Sequence, residues 1–235
     1  MTATDPALQV IELGKSFGPA VALDSVSCSV APGEFVTLFG PNGAGKTTLI
    51  RIAATLARPT HGEVRLFGQD VRKAPELRRR IGVVSHRSFL YGELTARENL
   101  TVVARLFDPK DAEERAVAAA RAVGLEDRLD DSVRNFSRGL EQRCSIARAL
   151  VHEPDLLLLD EPFSGLDPLA ARNLETVLRG AHESGKTIIM TSHNLSQGSE
   201  LAQRIGILHY GLLRYWGDCP SDLQGTFDAC VGGTS

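Results

Sequence analysis

The sequence predicts an α/β fold: a parallel core sheet, an antiparallel β part ahead of it, and a helical stretch inserted near 87–152. Three observations lead there. An apolar run, Phe35-Val36-Thr37-Leu38-Phe39, is followed by a glycine-rich turn and then by Thr47-Thr48-Leu49-Ile50-Arg51-Ile52-Ala53-Ala54, a strand–loop–helix unit. Two further short apolar runs, Leu156-Leu157-Leu158-Leu159 and Thr187-Ile188-Ile189-Met190-Thr191, read as buried strands of the same sheet. Between about 90 and 152 the period changes from that of strands to that of helices.

Taken in order, Leu8 to Leu13 and Val26 to Val30 alternate like half-exposed strands, with a turn-rich stretch from Gly14 to Pro19 between them. Pro32-Gly33 turns the chain into the Phe35 strand, Glu63 to Phe67 is an alternating strand ended by Gly68, and Ile81 to Val84 is a short buried one. Thr95-Ala96-Arg97-Glu98 is a capping box opening a helix. Asp108-Pro109 predicts an N-cap and first-turn proline for an Ala-rich helix closed by Gly124, and Ser137 is placed to cap the next helix, which carries Ile146, Leu150 and Val151. Asp167-Pro168 opens a helix to about Ser184, and Ser196 to Leu201 reads as helical. Arg204 to Leu208 and Leu212 to Tyr215 form a predicted hairpin turning at Tyr210-Gly211. The tail from Gly217 has no legible pattern, and Gly232 to Ser235 are expected to fray.

A chain of 235 residues with 43% hydrophobic content fits one large α/β domain with an inserted subdomain. Its apolar runs fall far short of the ~20 residues that span a bilayer, and Met1 to Pro6 lack the basic-then-apolar layout of a signal peptide, so a soluble, cytosolic chain is expected. The net charge of −3 argues against a nucleic-acid partner, and Arg78-Arg79-Arg80 reads as a solvated helix face. Cys28, Cys144, Cys219 and Cys230 have no metal-ligand spacing and are expected to be reduced, partly buried thiols.

The glycine-rich turn is Gly40-Pro41-Asn42-Gly43-Ala44-Gly45-Lys46-Thr47, which fits the phosphate-loop pattern G-x-x-x-x-G-K-S/T in its proper strand–helix context. Its glycines let backbone N–H groups turn inward on phosphate oxygens, and the helix N-terminus adds the positive end of its dipole. Lys46 is placed to reach the β- and γ-phosphates and the Thr47 hydroxyl to ligate Mg²⁺. The tetraleucine run ends in Asp160-Glu161, at the carboxyl end of a strand, where open parallel sheets bind ligands. Asp160 there would hold Mg²⁺ through its water shell and Glu161 would polarise an attacking water. His193, just past the next strand, points to the same crevice, where a neutral imidazole could donate to the γ-phosphate.

The order of phosphate loop, signature helix, acidic strand end, Ser164-Gly165-Leu166-Asp167 and late histidine resembles the ATP-binding-cassette (ABC) ATPases, over about Leu8 to Tyr215. That resemblance implies a P-loop NTPase of ABC ATPase type, hydrolysing ATP with Mg²⁺. It implies a nucleotide-binding set of Phe17 (stacked on adenine), Gly40, Pro41, Asn42, Gly43, Ala44, Gly45, Lys46, Thr47, Thr48, His86, Ser137, Gly139 and Asp160. Thr47, Asp160 and His86 would face the metal, and Lys46, Glu161 and His193 would be the catalytic groups. The family signature Leu-Ser-Gly-Gly-Gln is matched by Phe136-Ser137-Arg138-Gly139-Leu140, in which Arg138 and Leu140 depart from the pattern. Ser137 and Gly139 stand where the family binds the ATP held by a second subunit, so a homodimer around ATP is implied.

Where the family has a glutamine, after Ile81 to Val84, this chain has Ser85-His86-Arg87. With Leu94 to Leu100 and the Phe-Ser-Arg-Gly signature, this resembles the ATPase of the haem exporter used in cytochrome c maturation. The resemblance implies integral membrane permease subunits as partners, placing the chain peripherally on the cytoplasmic face of the membrane, with a coupling groove around His86, Phe89, Leu90, Tyr91 and Glu93. Another ABC exporter (lipid, drug or polysaccharide) and a soluble scaffold-type cassette of iron–sulfur assembly are the alternative readings. A DNA-acting cassette would carry a coiled-coil insertion, and no such pattern is present.

Overall fold

A computed structural model describes residues 5–85 and 88–232 of the chain. Two sheets organise it. The first is antiparallel, in the order β2 (Ala20–Val30), β1 (Leu8–Phe17), β4 (His61–Leu66), β5 (Gln69–Asp70). The second has six strands, in the order β10 (Leu212–Asp218), β9 (Arg204–His209), β3 (Phe35–Phe39), β8 (Thr187–Ser192), β7 (Leu156–Leu159), β6 (Ile81–Val84). All neighbours in it are parallel except the β9–β10 hairpin, which turns at Tyr210-Gly211 as expected.

The strands β3, β7 and β8 are buried along their whole length, which is why they read as unbroken apolar runs rather than alternating ones. One face of the six-stranded sheet packs, through Val36, Leu38, Leu158 and Ile189, against the antiparallel sheet and helix α1 (Lys46–Ala53). The other face, through Phe35, Leu157, Leu159 and Met190, meets α2 (Ala96–Phe107), α3 (Ala112–Ala122), α4 (Arg138–Leu150) and α5 (Pro168–Glu183). A short helix α6 (Leu195–Ser199) follows β8, and α7 (Leu223–Gly232) packs through Leu223, Phe227 and Val231 beside β9. Of the tail expected to fray, Gly232 instead ends α7, and 233–235 lie outside the described residues.

Several helix ends follow their sequence signals. Thr95 accepts from the Glu98 amide while the Glu98 carboxylate accepts from the Thr95 amide, the reciprocal capping box. Asp167 caps α5 ahead of Pro168, and Gly124 closes α3 by donating to Arg121 O while Leu125 donates to Ala120 O. Asp108-Pro109 is a correction. The Asp108 carboxylate accepts from the Lys110 amide instead of capping a helix, so α3 starts only at Ala112.

The antiparallel strands also differ from expectation. Gly14 to Phe17 belong to β1, and the turn shrinks to Gly18-Pro19. A register shift between Val10 and Leu13, with Glu12 at φ 44°, rephases the strand so that Leu13 points inward again. Strict alternation, the signal used to read strands, breaks at such a bulge. The arginine triplet is likewise not a plain solvated face: Arg78 donates to Thr55 Oγ1, Arg79 to Phe107 O, and Arg80 pairs with Asp155 at 2.5 Å while covering the Phe67 ring.

Candidate functional site

The strand order places the carboxyl ends of β3, β8 and β7 side by side, with Phe39 opposite Ser192 and Leu159 opposite Met190. The segments leaving those ends are the Gly40 loop, His193 and Asp160-Glu161. Parallel neighbours lie about 4.8 Å apart, so the outer two of these three strand ends are about 10 Å apart, a gap that side chains reaching from both sides can close.

The loop wraps onto α1. Gly45 caps that helix at φ 108° with no side-chain partner, and a Cβ there would press on Leu23 at 2.8 Å and on the Ala22 carbonyl. The first-turn amides of α1 therefore face the cavity without a cap and are available to an anion. Lys46, only 6% exposed, donates from Nζ to the carbonyls of Gly40 (2.7 Å) and Pro41 (3.3 Å) and lies 3.5 Å from Glu161 Oε1. A buried ammonium resting on two carbonyls beside one carboxylate can exchange the two weak, neutral carbonyl acceptors for phosphate oxygens.

Asp160 is 3% exposed. Its Oδ1 accepts from the Thr47 hydroxyl (3.0 Å) and the Thr191 hydroxyl (2.8 Å), and its amide donates to Val84 O (2.9 Å). The Thr47 proton points at Asp160, which leaves the hydroxyl's lone pairs outward. Two hard oxygen donors so arranged fit Mg²⁺, which takes one or two protein ligands and completes its shell with water and phosphate.

Glu161 sits at φ 52°, a left-handed conformation that a non-glycine residue adopts at a cost of roughly 1–2 kcal/mol. Its amide is held by Thr191 Oγ1 at 2.8 Å, and its Oε2 lies 2.8 Å from His193 Nδ1. With the carboxylate ionised, Nδ1 carries the proton. A neutral His193 then presents Nε2 as an acceptor, and donation to a phosphate from that nitrogen requires the imidazolium.

Phe17 at the end of β1, loop residues 42–48, Glu161, Ser164 and His193 line one cavity of about 630 Å³. Phe17 is half exposed, and Lys15 Nζ lies over one face of its ring, 4.8 Å from the centre. Ser137 and Gly139 do not line this cavity. They lie at the surface on the first turn of α4, where Ser137 caps the helix by accepting from the Leu140 amide at 3.4 Å. His86 lies outside the described residues. Sequence reasoning missed Thr191, whose hydroxyl joins Asp160 to Glu161, and Ser164 on the cavity wall. The signal for Thr191 was a hydroxyl residue at the inner end of an otherwise apolar strand.

A family model described as ABC transporter matches residues 23–164, more than half of the chain. The chain belongs to the ABC transporter family. It is 39% identical over 210 residues to the Nod factor export ATP-binding protein I of Paraburkholderia xenovorans, covering 88% of this chain and 69% of that protein. It is 38% identical to the bacitracin transport ATP-binding protein BcrA of Bacillus licheniformis, covering 88% and 68%. The dimeric post-hydrolysis structure of an ATP-binding cassette bound to ADP and Pi superposes with a TM-score of 0.83 at 27% identity, over 91% of this chain and 99% of that one. This ABC protein is thus an ATP-hydrolysing cassette with hydrolysis coupled to transport, of the α/β P-loop type expected. Among the described residues no helix is long and apolar enough to cross a membrane.

Proposed function

We propose that the chain is the ATPase subunit of an ABC exporter, working as a dimer closed around ATP and driving separate membrane subunits. The observation that carries this reading is the convergence of Lys46, Glu161 and His193 on one cavity wall, with the Glu161 carboxylate in contact with both the Lys46 ammonium and the His193 ring.

In this reading Gly40, Pro41, Asn42, Gly43, Ala44, Gly45 and Thr48 cradle the phosphates, and Lys46 leaves its carbonyl acceptors for the β- and γ-phosphate oxygens. Thr47 and Asp160 hold Mg²⁺, which supplies charge neutralisation at the transferring phosphoryl group. Glu161 polarises the attacking water, steadied by His193 on one oxygen and by Thr191 through its amide. Phe17 stacks on the base. Ser137 and Gly139 complete the site of the partner subunit, in keeping with their absence from their own chain's cavity.

A second cavity, of about 410 Å³, lies beside the first and is lined by Ile50, Leu56, Val83, Ser85 and Phe89 among others. Leu56 and Phe89 are each half exposed and Tyr91 nearby is 66% exposed, which suits a helix of a membrane partner. Export as the direction rests on the name of the Nod factor relative. Haem as cargo rests on Ser85-His86-Arg87 and the Phe136-Ser137-Arg138-Gly139 variant alone; the two relatives named above are called Nod factor and bacitracin proteins, so export is proposed without a named cargo.

The test is steady-state ATPase activity with MgATP. Lys46→Ala is expected to lower kcat by more than about 100-fold, since it removes a preorganised cation from the developing charge. A rate unchanged by Lys46→Ala would overturn the assignment.

A further inference from the structure

The loop that follows Glu161 is gripped from its far side by α4. Gln142 Nε2 donates to Pro162 O at 2.9 Å. One turn earlier, the Arg138 guanidinium lies across Gly165: a Cβ on Gly165 would stand only 2.7 Å from Arg138 Nε and 2.5 Å from Nη1. Gly165 also has φ +71°, a backbone conformation that calls for glycine, whereas a methyl there would meet only the end of the flexible, exposed Arg138 side chain. Arg138 forms no ion pair or hydrogen bond among the described residues, and its exposed guanidinium lies against the Gly165 peptide rather than on a carboxylate. Arg138, Gln142, Ser164, Asp160 and Glu161 share the wall of a small cavity of about 80 Å³, while Ser164 and Glu161 also line the phosphate-loop cavity. The loop thus presents one side to the nucleotide site and the other to Arg138.

We propose that Arg138 is a positioning residue whose guanidinium, laid on Gly165, clamps the 162–166 loop to the first turn of α4 and so holds Glu161 and Ser164 at the phosphate loop. A glycine at position 138, as in the family signature, has no atoms to do this. A planar, weakly hydrated guanidinium stacks on a peptide plane, whereas a lysine ammonium keeps the charge and loses the plane. Ser137 and Gly139 flank Arg138 on the same turn. In the sandwich proposed above they serve the partner's nucleotide, so the clamp ties the part of the chain that closes one site to the part that hydrolyses at the other. That link rests on the dimer reading; the clamp itself belongs to a single chain.

The experiment has an arm for each. Hydrogen exchange without nucleotide reports on the Ser164 amide, bonded to Glu161 O at 3.0 Å, and the Leu166 amide, bonded to Phe163 O at 3.2 Å. Both should exchange about tenfold faster in Arg138→Gly and in Arg138→Lys, with no change in the control Arg121→Ala and none in α5 amides. Unchanged exchange in the Arg138 variants overturns the clamp, whether or not the protein hydrolyses ATP. In the ATPase assay kcat should fall about tenfold in Arg138→Lys with KM for ATP within about twofold. Full kcat in Arg138→Lys would overturn the clamp and assign the residue's role to its charge. Gly165→Ala closes the cycle: it should lower kcat in the wild-type chain and lower it less in Arg138→Gly, where the added methyl finds room. Additive effects would sink the proposed contact. Absence of turnover in the wild-type chain would count against the ATPase reading and leave the exchange arm to decide the clamp.

Discussion

His193 Nδ1 lies 2.8 Å from Glu161 Oε2, across the gap between the ends of β8 and β7. The same carboxylate turns its other oxygen to Lys46 Nζ at 3.5 Å. Glu161 is thereby aimed by the Lys46 ammonium, the His193 ring and its own left-handed backbone.

If that carboxylate polarises the attacking water, Glu161→Gln should bind ATP and hydrolyse it at least about 100-fold more slowly, the amide being unable to accept a proton. Because ATP would bind the closed form, the variant should accumulate as a dimer by mass action. Light scattering after size-exclusion chromatography, with and without ATP, is the measurement. A monomer under both conditions contradicts the sandwich.

Thr191→Val keeps the shape of the side chain and removes the hydroxyl that bridges Asp160 Oδ1 and the Glu161 amide. The orphaned amide costs about 1–3 kcal/mol, and the Glu161 backbone loses its anchor. We expect a lower Tm together with a lower kcat, and recovery of both in Thr191→Ser. A Val variant with wild-type kcat would show that the bridge does not place Glu161.

His152 gives a pH dependence to stability. Its ring stacks on Phe107 at 3.9 Å, and Nε2 must donate to the Ile81 carbonyl at 3.0 Å, leaving Nδ1 buried without a partner. Burial holds its pKa below the ordinary histidine value against the raising effect of that bond, and Arg148 and Lys186 push the same way as burial. The unfolded chain therefore binds the proton first. The contribution of neutral His152 is fully present above about pH 6.5 and is lost as pH falls from there through the lowered folded value, by up to about 1.4 kcal/mol per pH unit. Denaturant melts at pH 7.5 and 5.5 should differ more for the wild-type chain than for His152→Gln. Equal differences would refute the role of this ring.

Burial pushes the Cys28 and Cys144 thiols up to about 12. At pH 8 only about one in 10⁴ of either is thiolate, so iodoacetamide should leave both unmodified in the native protein and label both in urea. Mass spectrometry of the labelled peptides reads this directly. Native modification of Cys144 would contradict its place in the core.

Much of this was legible in one dimension because the cues are local. Phe35 to Thr47 is a contiguous strand, turn and helix start, and the Thr95 and Asp167 caps act over two or three residues. The misreadings also have local causes. Gly14 and Gly18-Pro19 signal a turn although β1 runs on through Phe17, and Asp108 satisfied the Lys110 amide rather than capping α3. Thr191 and the Arg138–Gly165 contact escaped because each acts on a partner from a different element, and no spacing along the chain encodes such a pair.

By itself, then, the sequence determined the phosphate loop, the acidic strand end, the late histidine and the family they resemble, because each is written in consecutive residues whose chemistry is intrinsic. The tertiary structure alone decided that β3, β8 and β7 are neighbours, that Glu161 takes a left-handed backbone between Lys46 and His193, and that Ser137 and Gly139 do not line their own chain's phosphate-loop cavity. Strand order and residue conformation are set by long-range packing of buried faces, whose free energy depends on which apolar surfaces meet and not on their separation along the chain.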